Sequence, residues 1–221
     1  SVNSSTWIQN DFIVDKNIKL PNFTGSNSLE IPYTPSLNTK QFTVSVWYYV
    51  TSWVAYQRIT ASQNTTNGRH GYEIYQNNTS EQFAFGLENG STNQNDITTP
   101  SGLSHNTWYH MVVTYDGTTQ KLYHNGSLSS QQAFSNYSPN TSNKTVIGAR
   151  GVGTEIPFNG YLYDYRYYNR AITAEEIQNI YNNKLIGDEV LHMPTLGNYK
   201  YFLQNSTGLG NVIMVKNNNV I

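Results

Sequence analysis

The stretch Trp53-Val54-Ala55-Tyr56-Gln57-Arg58, followed by the loop Asn64–Gly71 with its Arg69 and His70, gathers side-chain types that recognise sugars. The C–H faces of a saccharide stack on aromatic rings, and its hydroxyls need fixed amide or guanidinium partners. Trp53, Tyr56, Arg58, Arg69 and His70 are therefore the candidate ligand-binding residues. The competing reading makes Trp53 and Tyr56 packing residues at the start of a strand. Bond-breaking chemistry is harder to find. Hydrolysis of a glycoside takes two carboxylates about 5–5.5 Å apart for retention or about 6.5–9.5 Å apart for inversion. Glu73 stands alone in GYEIYQ and Glu88 alone in FGLENG. Glu175-Glu176 fit a helix cap, and the adjacent Asp188 and Glu189 point to opposite sides of any strand. The five histidines show no H-x-x-x-H or H-x-H spacing. A G-x-S-x-G elbow and a phosphate-cradling glycine loop are both missing. The chain has no Cys, which removes disulfides, Cys-ligated zinc and thiol nucleophiles together. The expectation is a protein that binds and does not catalyse.

The elements that must position these residues are strands. In Gln41–Val50, Phe42, Val44, Val46, Tyr48 and Val50 share one face while Thr43, Ser45, Trp47 and Tyr49 take the other. Similar runs are Val54–Ala61, Gly71–Gln76, Gln82–Glu88, Thr107–Asp116, Gln120–His124, Lys144–Ala149 and Phe158–Tyr168. Asn125-Gly126 is a preferred type I′ pair and closes a hairpin. Strand after strand without a helical crossover implies antiparallel pairing. In the last run strict alternation puts Tyr161, Tyr163, Tyr165 and Tyr167 on one face and Leu162, Asp164, Arg166 and Tyr168 on the other. One helix stands apart. Thr173-Ala174-Glu175-Glu176 is a capping box, and Ile172, Ile177, Ile180 and Tyr181 make a one-sided apolar stripe as far as Asn182. Such a helix is expected to plug one end of a sandwich.

Length and composition agree with one β domain. The 221 residues suit a single large sandwich. Only 12% are charged, whereas 14% are aromatic, with 18 Tyr. A net charge of −1 without any Lys/Arg cluster excludes nucleic acid as a natural partner. No apolar run is long enough to span a bilayer. N-x-[ST] sequons lie at Asn3, Asn22, Asn64, Asn77, Asn78, Asn89, Asn125, Asn136, Asn140, Asn143 and Asn205. With 29 Asn and 43 Ser plus Thr, chance predicts roughly 6. The excess points to a glycosylated protein outside the cell, on a cell surface or on a virion, with Asn125, Asn136, Asn140 and Asn143 on turns as the foremost acceptors. Beginning at Ser1 without an export signal, the sequence reads as a processed product or part of a longer chain.

Four stretches in order carry a family resemblance. Trp108–Gly117 with Leu122-Tyr123-His124-Asn125-Gly126, Phe158–Ile172 with Glu175-Glu176-Ile177, Asn22–Ile31, and Phe42–Trp47 resemble the successive motifs of laminin-G-like domains. The resemblance implies an all-β, concanavalin A-like jelly-roll β-sandwich of two antiparallel sheets with one short C-terminal helix. It divides the chain into an N-terminal segment 1–21, a laminin-G-like domain 22–183 and a tail 184–221. Some members of the family hold calcium near the closing strand, which makes Asp164 the candidate metal ligand. A hard cation takes six to eight oxygens, and the sparse acids leave the simpler reading of Asp164 as a partner for Arg166 or Arg170. The glucanase relatives place catalytic acids at i and i+2 or i+4 of one strand, and no such run exists here.

Two functions follow as expectations. The first is a non-catalytic extracellular binding or adhesion module of lectin type, recognising glycans or a surface protein. The alternative is a structural building block of a surface layer, filament, fibre or virion, with self-assembly into an array. The tail favours the latter, since Phe12-Ile13-Val14 is echoed by Ile213-Met214-Val215 about 201 residues later, the mark of a tandem repeat. Expected strands at Glu189–His192 and Val212–Val215 would then pair outside their own domain.

Overall fold

The structure is a computed structural model that describes residues 6–9, 12–15, 22–24, 28–65, 68–77, 81–91, 94–150, 156–182, 191–195, 200–203, 211–214 and 216–217. The elements in chain order are β1 (Thr6–Gln9), β2 (Phe12–Asp15), β3 (Asn22–Thr24), β4 (Leu29–Ile31), β5 (Phe42–Val50), β6 (Arg58–Asn64), β7 (His70–Gln76), β8 (Phe83–Glu88) and β9 (Gln94–Thr98). They continue as β10 (Trp108–Tyr115), β11 (Thr119–His124), β12 (Ser127–Ala133), β13 (Thr145–Ile147), β14 (Asn159–Tyr168), α1 (Ala174–Tyr181), β15 (Leu191–Thr195), β16 (Lys200–Leu203), β17 (Asn211–Met214) and β18 (Lys216–Asn217). Among the described residues β1 and β2 form a hairpin of their own. The larger sheet runs β12-β11-β10-β5-β14-β15-β16-β17, with β3 also on β14. The smaller runs β18-β4-β13-β6-β7-β8-β9. Every pairing is antiparallel.

Alternation builds the core. Phe42, Val44, Val46, Tyr48 and Val50 of β5 point between the sheets, as the sequence predicts, and meet Tyr72 and Ile74 of β7 and Phe83, Phe85 and Leu87 of β8. Phe42 and Tyr167 stack across this space with ring centroids 5.8 Å apart.

The closing strand departs from strict alternation. Tyr163 lies opposite Trp47, but Arg166 lies opposite Ser45, so β14 carries one extra residue between them. That residue is Asp164, with φ at 52°. A bulge of one residue exchanges the faces of everything after it. Leu162, Tyr165 and Tyr167 consequently enter the core. Tyr161 and Tyr163 join Trp47 and Trp108 on the outer face, and Tyr168 packs there beneath the helix. The expected four-tyrosine stripe is thus divided two and two.

The helix also sits elsewhere than expected. Thr173 accepts from the Glu176 N–H and Glu176 returns a carboxylate oxygen to the Thr173 N–H, completing the capping box. Ile177 and Ile180, with Ile172, cover Val112, Tyr123 and Tyr168 on the outer face of the larger sheet. Tyr181 stacks on Trp47 at 5.6 Å. The helix roofs a sheet; it does not plug an end, because the outer face of β5, β10 and β14 carries Trp47, Trp108, Val112 and Tyr168, which need cover.

Two strands, β9 and β12, escape the sequence pattern, since QNDIT and SLSSQQA are polar and lie at sheet edges. Tail strand β15 pairs with β14, and β18 pairs with β4 of the same chain. The described tail strands thus have partners within their own chain. Replacing Ile177, wholly buried against the sheet, by Ala is expected to cost about 2–5 kcal/mol. A urea midpoint unchanged from wild type, against an exposed-site control such as Glu175→Ala, would contradict this packing.

Candidate functional site

The alternation that fills the core leaves the opposite face of the smaller sheet to polar residues. Register aligns them in rows: Ala61, Glu73, Gly86 and Asp96 stand side by side on β6 to β9, and Arg58, Tyr75, Ala84 and Thr98 form the neighbouring row. Gln63 faces Gly71, and Glu88 faces Gln94. Glu73 is the hub. Its carboxylate accepts from Arg58 Nε at 3.1 Å and from Gln94 Nε2 at 3.1 Å. Arg69 lies 2.7 Å from Glu88 and 3.8 Å from Glu73, and donates to Gln94 Oε1 at 2.9 Å. Gln94 also donates to Asp96 at 2.9 Å, and Tyr75 donates its hydroxyl to the other Asp96 oxygen at 2.8 Å. Gly86 makes this closure feasible. A Cβ there would stand 2.1 Å from Gln94 Nε2 and 2.6 Å from an Asp96 oxygen, where the two side chains fold over the strand.

Burial sets the electrostatics. Glu73 and Glu88 are 1% and 0% exposed. Burial pushes the Glu88 carboxyl up to about 7 despite Arg69 beside it, and its Oε2 has no hydrogen-bond partner among the described residues. Asp96 is also raised by burial, although Tyr75 and Gln94 oppose the shift with hydrogen bonds. Loss of solvation raises the Tyr75 phenol, with Asp96 adding to it.

Of the five residues expected to meet a ligand, the structure brings three together here. Tyr56 sits at a tight turn with φ at 63°, is 40% exposed, and stacks on Tyr75 at 6.4 Å with an interplanar angle of 25°. The Arg58 guanidinium carbon lies 5.2 Å from the Tyr75 ring centre, and Arg58 donates to the Tyr56 carbonyl. Arg58 is 5% exposed, so it holds the site from beneath. Arg69 is half-buried at the rim. The other two go elsewhere. Trp53 packs on the core side against Phe83 at 5.7 Å, which answers to the packing alternative. His70 bonds Ser138 at 2.8 Å at the far end of β7 and lies against Gly90.

Asp164 takes up the simpler of its two readings, as a partner for Arg166. Both its oxygens accept from Arg166, at 2.8–3.1 Å, and the pair is buried. Burial opposes the Arg166 charge, yet Asp164 outweighs it and raises the guanidinium above its ordinary range. Among the described residues no three His, Asp or Glu side chains gather as a cation would need.

Glu73, Tyr75, Glu88, Gln94 and Asp96 are the site residues that the sequence reading missed. Each acid stands alone on its own strand. The signal was parity: Glu73 lies between Tyr72 and Ile74, and Glu88 follows Phe83, Phe85 and Leu87, so both face away from the core.

The sequence matches the laminin-G type 3 family, described as the concanavalin A-like lectin/glucanases superfamily, over residues 23–178. The chain belongs to this superfamily. No curated protein matches it in sequence. A protein of Bacteroides ovatus assigned to carbohydrate binding superposes with a TM-score of 0.63 at 16% identity, over 90% of this chain and 59% of its own length. The heptameric SAP-like pentraxin of Limulus polyphemus superposes at 0.56 with 18% identity, over 89% and 92%. The Ruminococcus gnavus IT-sialidase CBM40 bound to α2,3 sialyllactose gives 0.57 at 17% identity, over 75% and 96%. At these identities the likeness shows the superfamily fold alone.

Protonation of Glu88 gives the site a measurable pH dependence. The unfolded carboxyl titrates near its ordinary 4.5 and the folded one near 7. Between those values the native state holds more protons, so this residue's contribution to stability falls as pH rises through the window. Relative to wild type, the thermal midpoint of Glu88→Gln is expected to gain from about pH 5 to about pH 7 and then to level off. A difference that is flat across that range would contradict the assignment.

Proposed function

We propose that the outer face of the smaller sheet, around Tyr56, Tyr75, Arg69, Gln94 and Asp96, binds glycans, and that the protein is a non-catalytic, lectin-like module working outside the cell. One observation carries the reading. An exposed Tyr56 stacked on the half-buried Tyr75 adjoins a row of amide, guanidinium and carboxylate groups that already orient one another, which is the combination a sugar ring and its hydroxyls require. The solved relatives named for carbohydrate binding or bound to sialyllactose add support. Absence of catalysis is part of the proposal. Glu73 and Glu88 are buried and bonded to Arg58 and Arg69, an arrangement that keeps both acids from a scissile bond.

A glycan array probed with and without calcium tests this directly. Tyr56→Ala removes an exposed platform without opening the core, and is expected to weaken the wild-type signals roughly tenfold or more, given about 1–3 kcal/mol for an aromatic contact of this kind. An array without any signal in either condition would overturn the reading.

The sequon excess supports the proposed location, but the acceptors are not equivalent. Asn136 is exposed. Asn140 is 1% exposed, and its Nδ2 donates to Ser62 and to the Asn143 carbonyl. Its turn placement therefore does not leave the amide in solvent. Asn64 is buried and donates to Ser142 at 2.8 Å, and Asn143 donates to the Gln63 carbonyl at 3.0 Å. Asn125 has its Oδ1 on the His110 N–H. Asn77 and Asn89 are half-buried; Asn3, Asn78 and Asn205, and the Asn22 side chain, lie outside the described residues. Expressed in a glycosylating host, the protein is expected to carry glycan at Asn136 and none at Asn140. Peptide mapping that found Asn140 occupied would contradict the buried amide.

A further inference from the structure

The chain has five arginines, and four of them are committed to carboxylates: Arg58 to Glu73, Arg69 to Glu88, Arg166 to Asp164 and Arg170 to Glu176. Arg150 differs. Its Nε donates to Gln63 Oε1 at 3.3 Å, and its guanidinium pairs with no carboxylate among the described residues. Gln63 is 2% exposed and fixed at its other end, where Nε2 donates to Glu88 at 3.1 Å. The amide oxygen that Arg150 meets is thus held in one orientation by the same network that orders the candidate site. Gln63 belongs to the same face as Glu73, because Gln63 and Ala61 alternate with the inward residues of β6 and Ala61 lies opposite Glu73.

The charge on this face is incomplete. Arg150 is half-buried and close enough to Arg58 for its positive charge to disfavour that of its neighbour, adding to the effect of burial. Opposite the three arginines stand Glu73, Glu88 and Asp96. Glu88 is half-protonated near neutrality, and Asp96 has its oxygens turned to Tyr75 and Gln94. A guanidinium with a held Nε, whose terminal nitrogens meet no carboxylate among the described residues, matches the two oxygens of a carboxylate or sulfate.

We propose that Arg150 reads an anionic group on the saccharide, a carboxylate or a sulfate, so that this face takes acidic glycans in preference to neutral ones. The inference rests on the glycan reading above and adds the ligand class and the residue that selects it.

Three probes suffice: lactose, α2,3-sialyllactose carrying a carboxylate, and a sulfated lactose, each titrated calorimetrically against the full chain. At least one acidic sugar is expected to bind roughly tenfold or more tighter than lactose, the size of one charge-assisted fork, and comparing the two identifies the anion. In Arg150→Gln the ratio of acidic to neutral affinity should fall towards one, and Arg150→Lys, which keeps the charge without the fork, should recover only part of it. Raising salt from about 0.05 to about 0.5 M on the wild type should weaken the acidic sugar selectively, a readout independent of how the variants fold. Equal affinities for all three sugars would overturn this inference and leave the glycan reading standing. So would a preference that survives in a folded Arg150→Gln or is indifferent to salt. Absence of binding by every probe would overturn both.

Discussion

A carboxylate taken out of water must find its counter-charge where it lies, because neither ion can be left bare in a low-dielectric setting. In a chain with only 12% charged residues, that constraint fixes much of the architecture. On the larger sheet Asp164 and Arg166 neutralise each other two positions apart on one strand. They can do so because Asp164 occupies the bulge, and the bulge in turn decides which tyrosines of β14 face the core. On the smaller sheet Glu73 and Glu88 draw Arg58 and Arg69 across three strands. One requirement thus shapes both outer faces, in one case beneath a helix and in the other beside a stacked tyrosine pair.

The parts of the fold written in local chemistry were legible from the sequence. The apolar alternation of β5, the Asn125-Gly126 turn and the capping box at Thr173 each reappear, with Asn125 and Gly126 at φ 49° and 77° as a type I′ turn demands. The bulge was not legible. An inserted residue is indistinguishable from its neighbours until the partner strand is known, and FNGYLYDYRYY alternates acceptably in either phase. Strands β9 and β12 were hidden for another reason: edge strands need only one hydrogen-bonded neighbour and little apolar content.

The candidate site was half legible. Tyr56, Arg58 and Arg69 belong to a short stretch whose composition marks it out, whereas Glu73, Glu88 and Asp96 become neighbours through hairpin register alone. Trp53 has the right chemistry for the site but the wrong face, since its ring is needed against Phe83. The asparagines teach the same lesson. A sequon records spacing along the chain, while Asn64, Asn140 and Asn143 are drawn into one amide network with Ser62 and Ser142 that ties β6 to the 140–143 turn.

Tyr56 holds its ring in place with a left-handed backbone, a conformation unfavourable for a bulky side chain. The folded chain therefore bears that backbone penalty before any ligand arrives. Whatever stacks on the ring meets a turn whose backbone cost has already been met. Under the proposed reading, shape at Tyr56 and charge at Arg150 act together, and partners that fit associate at a smaller entropic cost.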